Sequence, residues 1–222
     1  MTLHLLIGNK RYSSWSLRPW IAMKVLGIPF EETVLPLYQP GSREEVLKHA
    51  PTGKVPVLID GEIAVWESLA ILDYLADRFP DAGLWPADPA ARALARSVAA
   101  EMHAGFQPLR RYYPMNLMRD PNKPRVLDPD AAAEVRANVA RVDAIWSGAR
   151  ARFGGRGGPF LFGTFGAADA MYAPVVSRLF CYPAEVSDVS RAYMAAVMAL
   201  PAWREWEAAA RREPWIMENN EV

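Results

Sequence analysis

The sequence predicts an α/β domain followed by an all-α domain within a chain of 222 residues. Strand and helix patterns alternate through the first eighty residues, and a proline-rich stretch then interrupts them. Strand patterns nearly vanish beyond that stretch. A chain of this length suits two compact domains of about a hundred residues each. We therefore expect an α/β domain over residues 1–80, a linker over 81–89 and a helical domain over 90–222.

The first domain has the predicted order β-α-β-α-β-β-α. Apolar or β-branched runs predict strands at 3–7, 33–37, 55–59 and 63–66, and amphipathic or polar runs predict helices at 17–26, 42–50 and 69–79. Asp60-Gly61 predicts a two-residue hairpin turn. A crossover helix implies that the first two strands pair in parallel, whereas the hairpin implies that the last two are antiparallel.

The second domain carries helix patterns only. Pro80, Gly83, Pro86 and Pro89 make the preceding stretch a semi-rigid linker. Alanine- and arginine-rich or amphipathic runs follow it. They predict helices at 90–117, 130–153, 167–180, 187–200 and 201–212.

Composition narrows the class of partner and the compartment. Twenty-five basic and 25 acidic residues leave no net charge, so the chain lacks the field that nucleic-acid binders use. A single cysteine, Cys181, excludes an internal disulfide, and no Cys/His cluster predicts a metal site. The start of the chain lacks the features of a signal peptide, and no apolar run is long enough to span a bilayer. We expect a reduced, cytoplasmic setting, without membrane or nucleic-acid partners.

Two serines lie between the first strand and the first helix. Proline is tolerated best in the first turn of a helix, so Pro19 predicts a helix that begins near Ser16 or later. Ser13 and Ser14 would then lie in the loop over the positive end of the helix, where hydroxyls and backbone N–H groups hold anions. Helix capping is the alternative interpretation of these serines.

Further motifs accompany the serines at family-specific spacings. Gly53-Lys54-Val55-Pro56-Val57-Leu58 opens a hairpin strand, and Trp66-Glu67-Ser68 begins a helix. Together with Leu84-Trp85-Pro86 and the segment 165–170, they resemble the cytosolic glutathione transferases, most closely the zeta-like and related bacterial serine-type members. The resemblance implies a thioredoxin-like first domain that binds glutathione as a cosubstrate. It also implies a helical second domain that shapes the pocket for a small electrophile, and a homodimer.

The resemblance assigns the catalytic hydroxyl to Ser13, which would face the glutathione sulfur. The zeta pattern has two serines followed by a cysteine, and here Trp15 stands at the cysteine position. The choice between Ser13 and Ser14 therefore stays open. Without a cysteine in this loop, disulfide reduction through the protein has no nucleophile there.

The resemblance also assigns the remaining glutathione contacts. Val55 would bind the cysteinyl backbone like an added strand, next to a cis Pro56, and Lys54 would reach the glycine carboxylate. Glu67 would pair with the γ-glutamyl ammonium, while the start of the Ser68 helix would bind the neighbouring carboxylate. Plain helix initiation at Glu67-Ser68 and a solvated Lys54 are the alternatives.

The cosubstrate pocket is predicted from the long helix at 90–117. His103, Phe106 and Arg110 have i, i+3, i+7 spacing and would share one face. They suit an aromatic or anionic electrophile, with Arg110 or Arg111 steering a carboxylate. Interdomain packing is the alternative for any one of these side chains.

The segment 165–170 is predicted to be structural. The family usually has Ser or Thr at this helix cap, with Asp169 as its reciprocal partner, and here Gly166 takes the cap position. Glycine is a slightly weaker cap, by a few tenths of a kcal/mol.

Three functions follow from the resemblance. The first is transfer of glutathione to an electrophile through its thiolate. The second is glutathione-dependent cis-trans isomerisation of the maleylacetoacetate type, in which glutathione is regenerated. The third is a non-catalytic interaction protein on the same fold, which the presence of Ser13, Glu67 and Ser68 disfavours.

Overall fold

A computed structural model describes residues 2–155 and 157–222. Its sheet has four strands in the order β2-β1-β3-β4. Strand β1 runs parallel to β2 and antiparallel to β3, and β3 and β4 form the antiparallel hairpin. The strands are β1 (Leu3–Ile7), β2 (Phe30–Val34), β3 (Val57–Asp60) and β4 (Ile63–Trp66). The predicted mixture of a parallel and an antiparallel half is confirmed.

In the described residues, three α-helices accompany the sheet and six more α-helices follow it. The first three are α1 (Ser14–Val25), α2 (Ser42–Leu47) and α3 (Ser68–Arg78). The later ones are α4 (Pro89–Ala104), α5 (Gln107–Tyr112), α6 (Pro129–Phe153), α7 (Ala167–Cys181), α8 (Asp188–Ala199) and α9 (Pro201–Ala210). The fold class, an α/β domain followed by a helical domain, is confirmed. None of the helices in the described residues is long and apolar enough to cross a membrane.

Strand β2 lies three residues earlier than the sequence predicts. It pairs in register with β1, from Leu3 opposite Phe30 to Ile7 opposite Val34, so the length of β1 limits it. Pro36 has no N–H to continue the ladder. The N–H of Leu37 instead donates to the Asn9 side chain at 2.7 Å. Pairing with β1 therefore sets the bounds of β2, and the β-branched run at 33–37 on which the prediction rested does not.

Helix α1 begins at Ser14, before the predicted start near Ser16. Ser13 is its N-cap residue, so Ser14 belongs to the first turn rather than to the loop, and Pro19 lies inside the helix. The proline removes one hydrogen bond, that to the carbonyl of Trp15 four residues earlier. Helix α1 is buried along most of its length and packs against α7 and α3, and this tertiary packing outweighs the lost bond.

The predicted helix at 90–117 is two helices, α4 and α5. A Cβ at Gly105 would lie 2.8 Å from the carbonyl oxygen of Glu101, and Phe106 adopts a positive φ of 59°. Pro108 stands in the first turn of α5, where its missing N–H costs no bond. His103, Phe106 and Arg110 therefore do not share one continuous helix face, and that prediction is wrong.

The segment before α4 docks onto the start of α7. Ala167 N donates to the Leu84 carbonyl at 2.8 Å, and a Cβ at Gly166 would lie 2.8 Å from the same oxygen. The Asp169 carboxylate accepts from the N–H groups of Gly166 at 2.9 Å and Leu161 at 3.0 Å. Glycine at the cap therefore permits a close backbone contact, in addition to its role at the helix start.

Candidate functional site

The serines lie in a tight turn that follows β1. The carbonyl of Asn9 accepts from the N–H groups of Tyr12 at 3.2 Å and Ser13 at 2.8 Å. The Ser13 hydroxyl donates to the Ser16 hydroxyl oxygen at 2.8 Å, and that oxygen also accepts from Gly8 N at 3.0 Å. Ser13 thus begins α1 with its side chain directed into a hydrogen-bonded chain, at the positive end of the helix.

Ser14 is held from the other half of the chain. Its hydroxyl oxygen accepts from Arg178 Nη2 at 3.2 Å, and its carbonyl accepts from Arg18 Nη1 at 3.2 Å. Both serines line a cavity of about 750 Å³. Their surroundings differ, since one hydroxyl contacts a neutral serine and the other a guanidinium.

Three arginines form a positive cluster beside the serines. Arg18 and Arg178 are buried and Arg110 is half-buried, and none of the three forms an ion pair within the described part of the chain. Burial and the neighbouring charge of Arg110 lower the pKa of Arg178 to about 10. Burial and both neighbouring guanidinium groups lower the pKa of Arg18 as well. Charges buried together without a counter-ion are costly, and a bound anion would relieve that cost.

The side chain of Trp15 packs among these cations. Its ring centroid is 4.0 Å from the Arg18 guanidinium carbon and 5.2 Å from that of Arg110. The His103 ring meets it edge-on, with the centroids 5.3 Å apart. Trp15 lines the large cavity and also a second one of about 270 Å³. It is therefore a shared wall between the two.

The second cavity brings together the residues that the motifs predict for glutathione. Its lining includes Lys54, Val55, Pro56, Glu67 and Ser68, from both sides of the β3–β4 hairpin. The Val55–Pro56 peptide bond is cis, as expected. Across the described residues, neither the N–H nor the carbonyl of Val55 has a protein hydrogen-bond partner. An extended ligand strand therefore has a free donor and acceptor there.

Glu67 and Ser68 form the corner of this cavity. Glu67 is the N-cap of α3 with a positive φ of 70°, and its side chain is half-exposed. Ser68 is buried, and its hydroxyl lies 3.9 Å from Met171 Sδ. As the first residue of α3, Ser68 has a backbone N–H without an intrahelical acceptor. A carboxylate acceptor and free N–H donors thus lie side by side.

His103 lies at this corner rather than deep in the large cavity. Its Nε2 is 3.6 Å from Glu67 Oε2, and its buried Nδ1 has no hydrogen-bond partner in the described structure. Burial lowers the pKa of the His103 imidazole, although the charge of Glu67 opposes that shift. The ring therefore favours its neutral form beside the carboxylate.

The structure places the other residues predicted for the cosubstrate pocket in different surroundings. Phe106 packs in the hydrophobic core and lines neither cavity, whereas Arg110 lines both and Arg111 lines the large one.

The sequence analysis did not single out Arg178, although a lone arginine in the otherwise apolar stretch of α7 is a signal for a buried functional charge. It also missed Met217, Asn219 and Asn220 on the cavity wall, for which no motif exists. Over the described ranges, no group of three or more His, Cys, Asp or Glu residues is arranged to hold a metal.

Comparison with known sequences shows to which family a chain with these motifs belongs. A family model described as "Glutathione S-transferase, N-terminal domain" matches residues 12–78, and one described as "Glutathione S-transferase, C-terminal domain" matches residues 129–209. Together they account for about two thirds of the chain. The chain belongs to the glutathione S-transferase family. The predicted resemblance is thereby confirmed.

Relatives within the glutathione S-transferase family include zeta-class proteins and isomerases. The chain is 30% identical to a "Glutathione S-transferase zeta class" of Euphorbia esula over 64% of its own length and 63% of the relative's. It is 40% identical to "Maleylacetoacetate isomerase" of Rattus norvegicus over 44% of its length and 46% of that protein's. The chain spans about half the length of the curated relatives it matches first.

A solved structure shares the fold across nearly the whole chain. It is a glutathione transferase homologue from Burkholderia GL BGR1 with bound glutathione, with a TM-score of 0.69 and 22% identity. The match covers 95% of this chain and 98% of that one. At this identity the likeness establishes the fold.

Proposed function

We propose that this chain is a glutathione transferase that activates the glutathione thiol for attack on a small anionic electrophile. The observation that carries the substrate class is that Arg110 and Arg178 line the large cavity beside the buried Arg18, and that none of the three has a counter-ion among the described residues. Two members of the cluster donate hydrogen bonds to Ser14, the residue that follows Ser13. The family membership and the bound glutathione of the Burkholderia homologue support glutathione as the cosubstrate.

Glutathione would occupy the smaller cavity and extend past Trp15 and Arg110 into the larger one, where its sulfur would meet Ser13. Glu67 would accept the γ-glutamyl ammonium, and the free N–H groups at the start of α3 would bind the adjoining carboxylate. The unpaired N–H and carbonyl of Val55 would bind the cysteinyl backbone, and Lys54, exposed and on the rim of both cavities, would meet the glycine carboxylate. The cavity thus has charged groups at its two ends and free backbone groups between them. Glutathione has the complementary arrangement, with charged groups at both ends and a peptide backbone between them.

Ser13 would face the sulfur from the N-terminus of α1. A free thiol has a pKa of about 8.5 and is only about 3% ionised at pH 7. Lowering that pKa by about two units represents about 2.7 kcal/mol and makes the thiol mostly thiolate. The Ser13 hydroxyl favours the anion once its hydrogen turns from Ser16 to the sulfur, and the helix N-terminus and nearby guanidinium groups favour it as well.

In a conjugation the thiolate sulfur forms a bond to an electrophilic carbon. The leaving group departs with its electron pair, or the carbanion left by addition takes up a proton. Arg178 and Arg110 would bind a carboxylate of the electrophile, and Trp15 would pack against its body. The guanidinium charges would also raise the local concentration of an anionic substrate. Conjugation of reactive electrophiles is the chemistry of detoxification, which we propose as the cellular role.

Isomerisation is the second candidate, and the identity with maleylacetoacetate isomerase favours it. In this reaction the thiolate adds to a cis double bond, the resulting single bond rotates, and elimination restores both the double bond and glutathione. A maleyl-type diacid carries two carboxylates, which suits a cavity with several arginines. A non-catalytic interaction protein is the remaining alternative.

One screen separates these functions. Turnover is measured with halo-aromatics, epoxides, peroxides and maleyl diacids, while free thiol and substrate are followed together. We expect carboxylate-bearing substrates to react fastest. Loss of thiol with a halo-aromatic or an epoxide identifies conjugation, whereas loss of thiol with a peroxide identifies oxidation of glutathione to its disulfide. Substrate conversion at constant thiol identifies isomerisation. Absence of glutathione binding in a calorimetric titration would contradict both and favour the interaction protein.

We further propose a homodimer in the cytoplasm. The homodimer is typical of the family, and the cytoplasm suits a chain with a single cysteine, which is buried. Sedimentation of the purified chain tests the dimer, and fractionation of cells tests the compartment.

A further inference from the structure

Residues 213–222, here named the strap, lie across the turn that carries Ser13. The Glu213 carboxylate accepts from two successive backbone N–H groups of this turn, those of Lys10 at 2.7 Å and Arg11 at 3.0 Å. Asn220 and the loop after α5 exchange further bonds, since Asn116 Nδ2 donates to the Asn220 carbonyl at 3.2 Å. The strap is thus fixed at several points, on the turn that precedes Ser13 and on the loop after α5.

A second carboxylate holds the far end of the strap. Glu221 Oε1 accepts from Arg11 Nη2 at 2.7 Å and also from the hydroxyl of Tyr12. Burial and this bond raise the pKa of Tyr12 to about 12, so its hydroxyl remains a donor at neutral pH. Arg11 and Tyr12 immediately precede Ser13. The contact therefore connects the strap to the residues that position the candidate catalytic hydroxyl.

The strap between these carboxylates lines the larger cavity. Met217, Asn219 and Asn220 contribute to its wall, as do Arg110 and Arg178 from the helical domain. One part of the lining is therefore cationic, and another part combines an apolar side chain with two amides. None of the three strap residues lines the smaller cavity, where glutathione would bind.

We propose that the strap is a specificity-determining wall for the electrophile and that Glu221 is the positioning residue that holds it closed. This inference rests on the proposed function, because it concerns the second substrate of that same site. The cavity selects an electrophile with a carboxylate for the arginines and an apolar body long enough to reach Met217. Electrophiles too short to reach the strap should bind with the same affinity whether or not Glu221 holds it in place.

The test compares two carboxylate electrophiles of different length, a chloronitrobenzoate and chloroacetate. In Glu221→Ala, the KM for the chloronitrobenzoate should rise about three- to tenfold. This is less than the full cost of a lost hydrogen bond to a charged group, because Glu213, Asn220 and Val222 still hold the strap. The KM for chloroacetate and the affinity for glutathione should change less than about twofold. Glu221→Gln keeps an acceptor for Tyr12 and should give an intermediate KM.

Glu218→Ala is the matched control, since it removes the same charge from the strap at an exposed side chain without a hydrogen bond among the described residues. It should leave all three quantities unchanged. Equal effects of Glu218→Ala and Glu221→Ala, or a parallel loss of affinity for glutathione, would overturn the proposal.

Hydrogen exchange separates failure of this inference from failure of the proposed function. Glu221→Ala should speed amide exchange in residues 9–13 and 213–222, and Glu218→Ala should not. A wild-type chain that binds no glutathione would contradict the proposed function. Unchanged exchange in Glu221→Ala would contradict the strap contact whether or not the chain turns over any electrophile.

Discussion

Arg178 Nη2 donates to Ser14 Oγ at 3.2 Å, although 164 residues of sequence separate them. The same guanidinium donates to the carbonyls of Tyr113 at 2.9 Å and Pro174 at 3.3 Å. One buried charge therefore connects the start of α1, the end of α5 and the middle of α7. The helical domain therefore contributes a buried charge to the surroundings of Ser14.

Replacing Arg178 by Gln should weaken binding of an anionic electrophile. Loss of a hydrogen bond to a charged group costs about 1.5–3 kcal/mol, so the KM for such a substrate should rise about tenfold or more. The KM for an uncharged halo-aromatic should stay nearly constant. Arg204→Gln is the control, because that side chain is exposed and lines neither cavity. Equal losses for charged and uncharged substrates would remove Arg178 from the electrophile site.

Ser13→Ala should raise the pKa of the bound glutathione thiol. The thiolate absorbs in the ultraviolet, and its titration against pH measures this pKa directly. Turnover should fall more at neutral than at alkaline pH, since alkaline conditions ionise the thiol without help. Glutathione affinity should change little.

Ser14→Ala is the matched variant for this experiment. Its hydroxyl accepts from Arg178, so its removal should mainly affect the anionic electrophile. If Ser14→Ala shifts the thiol titration and Ser13→Ala does not, Ser14 is the sulfur-facing residue. If neither variant shifts it, the hydroxyl mechanism is wrong.

Glu67→Ala should weaken glutathione binding about tenfold or more, through the loss of a charge-assisted hydrogen bond of about 1.5–3 kcal/mol. The side chain is half-exposed, so the fold should tolerate the change. Calorimetric titration with glutathione measures the effect. Glu62→Ala removes an equal charge from the exposed β3–β4 turn and should bind normally. Unchanged affinity in Glu67→Ala would exclude this residue from the site.

Gly166→Ala should lower the free energy of unfolding by about 1–3 kcal/mol, the usual cost of forcing an extra methyl group into a packed contact. The new Cβ would lie 2.8 Å from the Leu84 carbonyl oxygen and would separate the docked backbones. Gly148→Ala is the control, because its Cβ meets nothing within 4 Å and lies inside α6. That change should stabilise the chain by about 0.5–1 kcal/mol. Denaturant unfolding measures both, and a stable Gly166→Ala variant would show that the backbone contact relaxes without cost.

Much of the fold was predictable because its signals are local. Gly61, with its positive φ of 60°, marks the hairpin turn locally, although the two turn residues are Gly61-Glu62 rather than the predicted Asp60-Gly61, since Asp60 pairs with Ile63 at the end of β3. The amphipathic pattern of α3 likewise depends only on its own residues. The predictions failed where a distant partner decided the outcome. The register of β2 follows β1, and the start of α1 before Ser16 depends on packing against α7. The break at Gly105 is the exception, since Gly105 and Pro108 marked it locally within an otherwise helical pattern.

The sequence by itself determined the order of the elements, the motif residues of the smaller cavity and the family to which the chain belongs. Lys54, Val55, Glu67 and Ser68 lie close together in the chain, so a short hairpin suffices to bring them to one cavity. Only the tertiary structure decided that Arg178 reaches Ser14 and that Glu221 reaches Tyr12. Those contacts join segments far apart in sequence, and no local pattern encodes them, because they exist only once the helices have packed and the strap has crossed the serine turn.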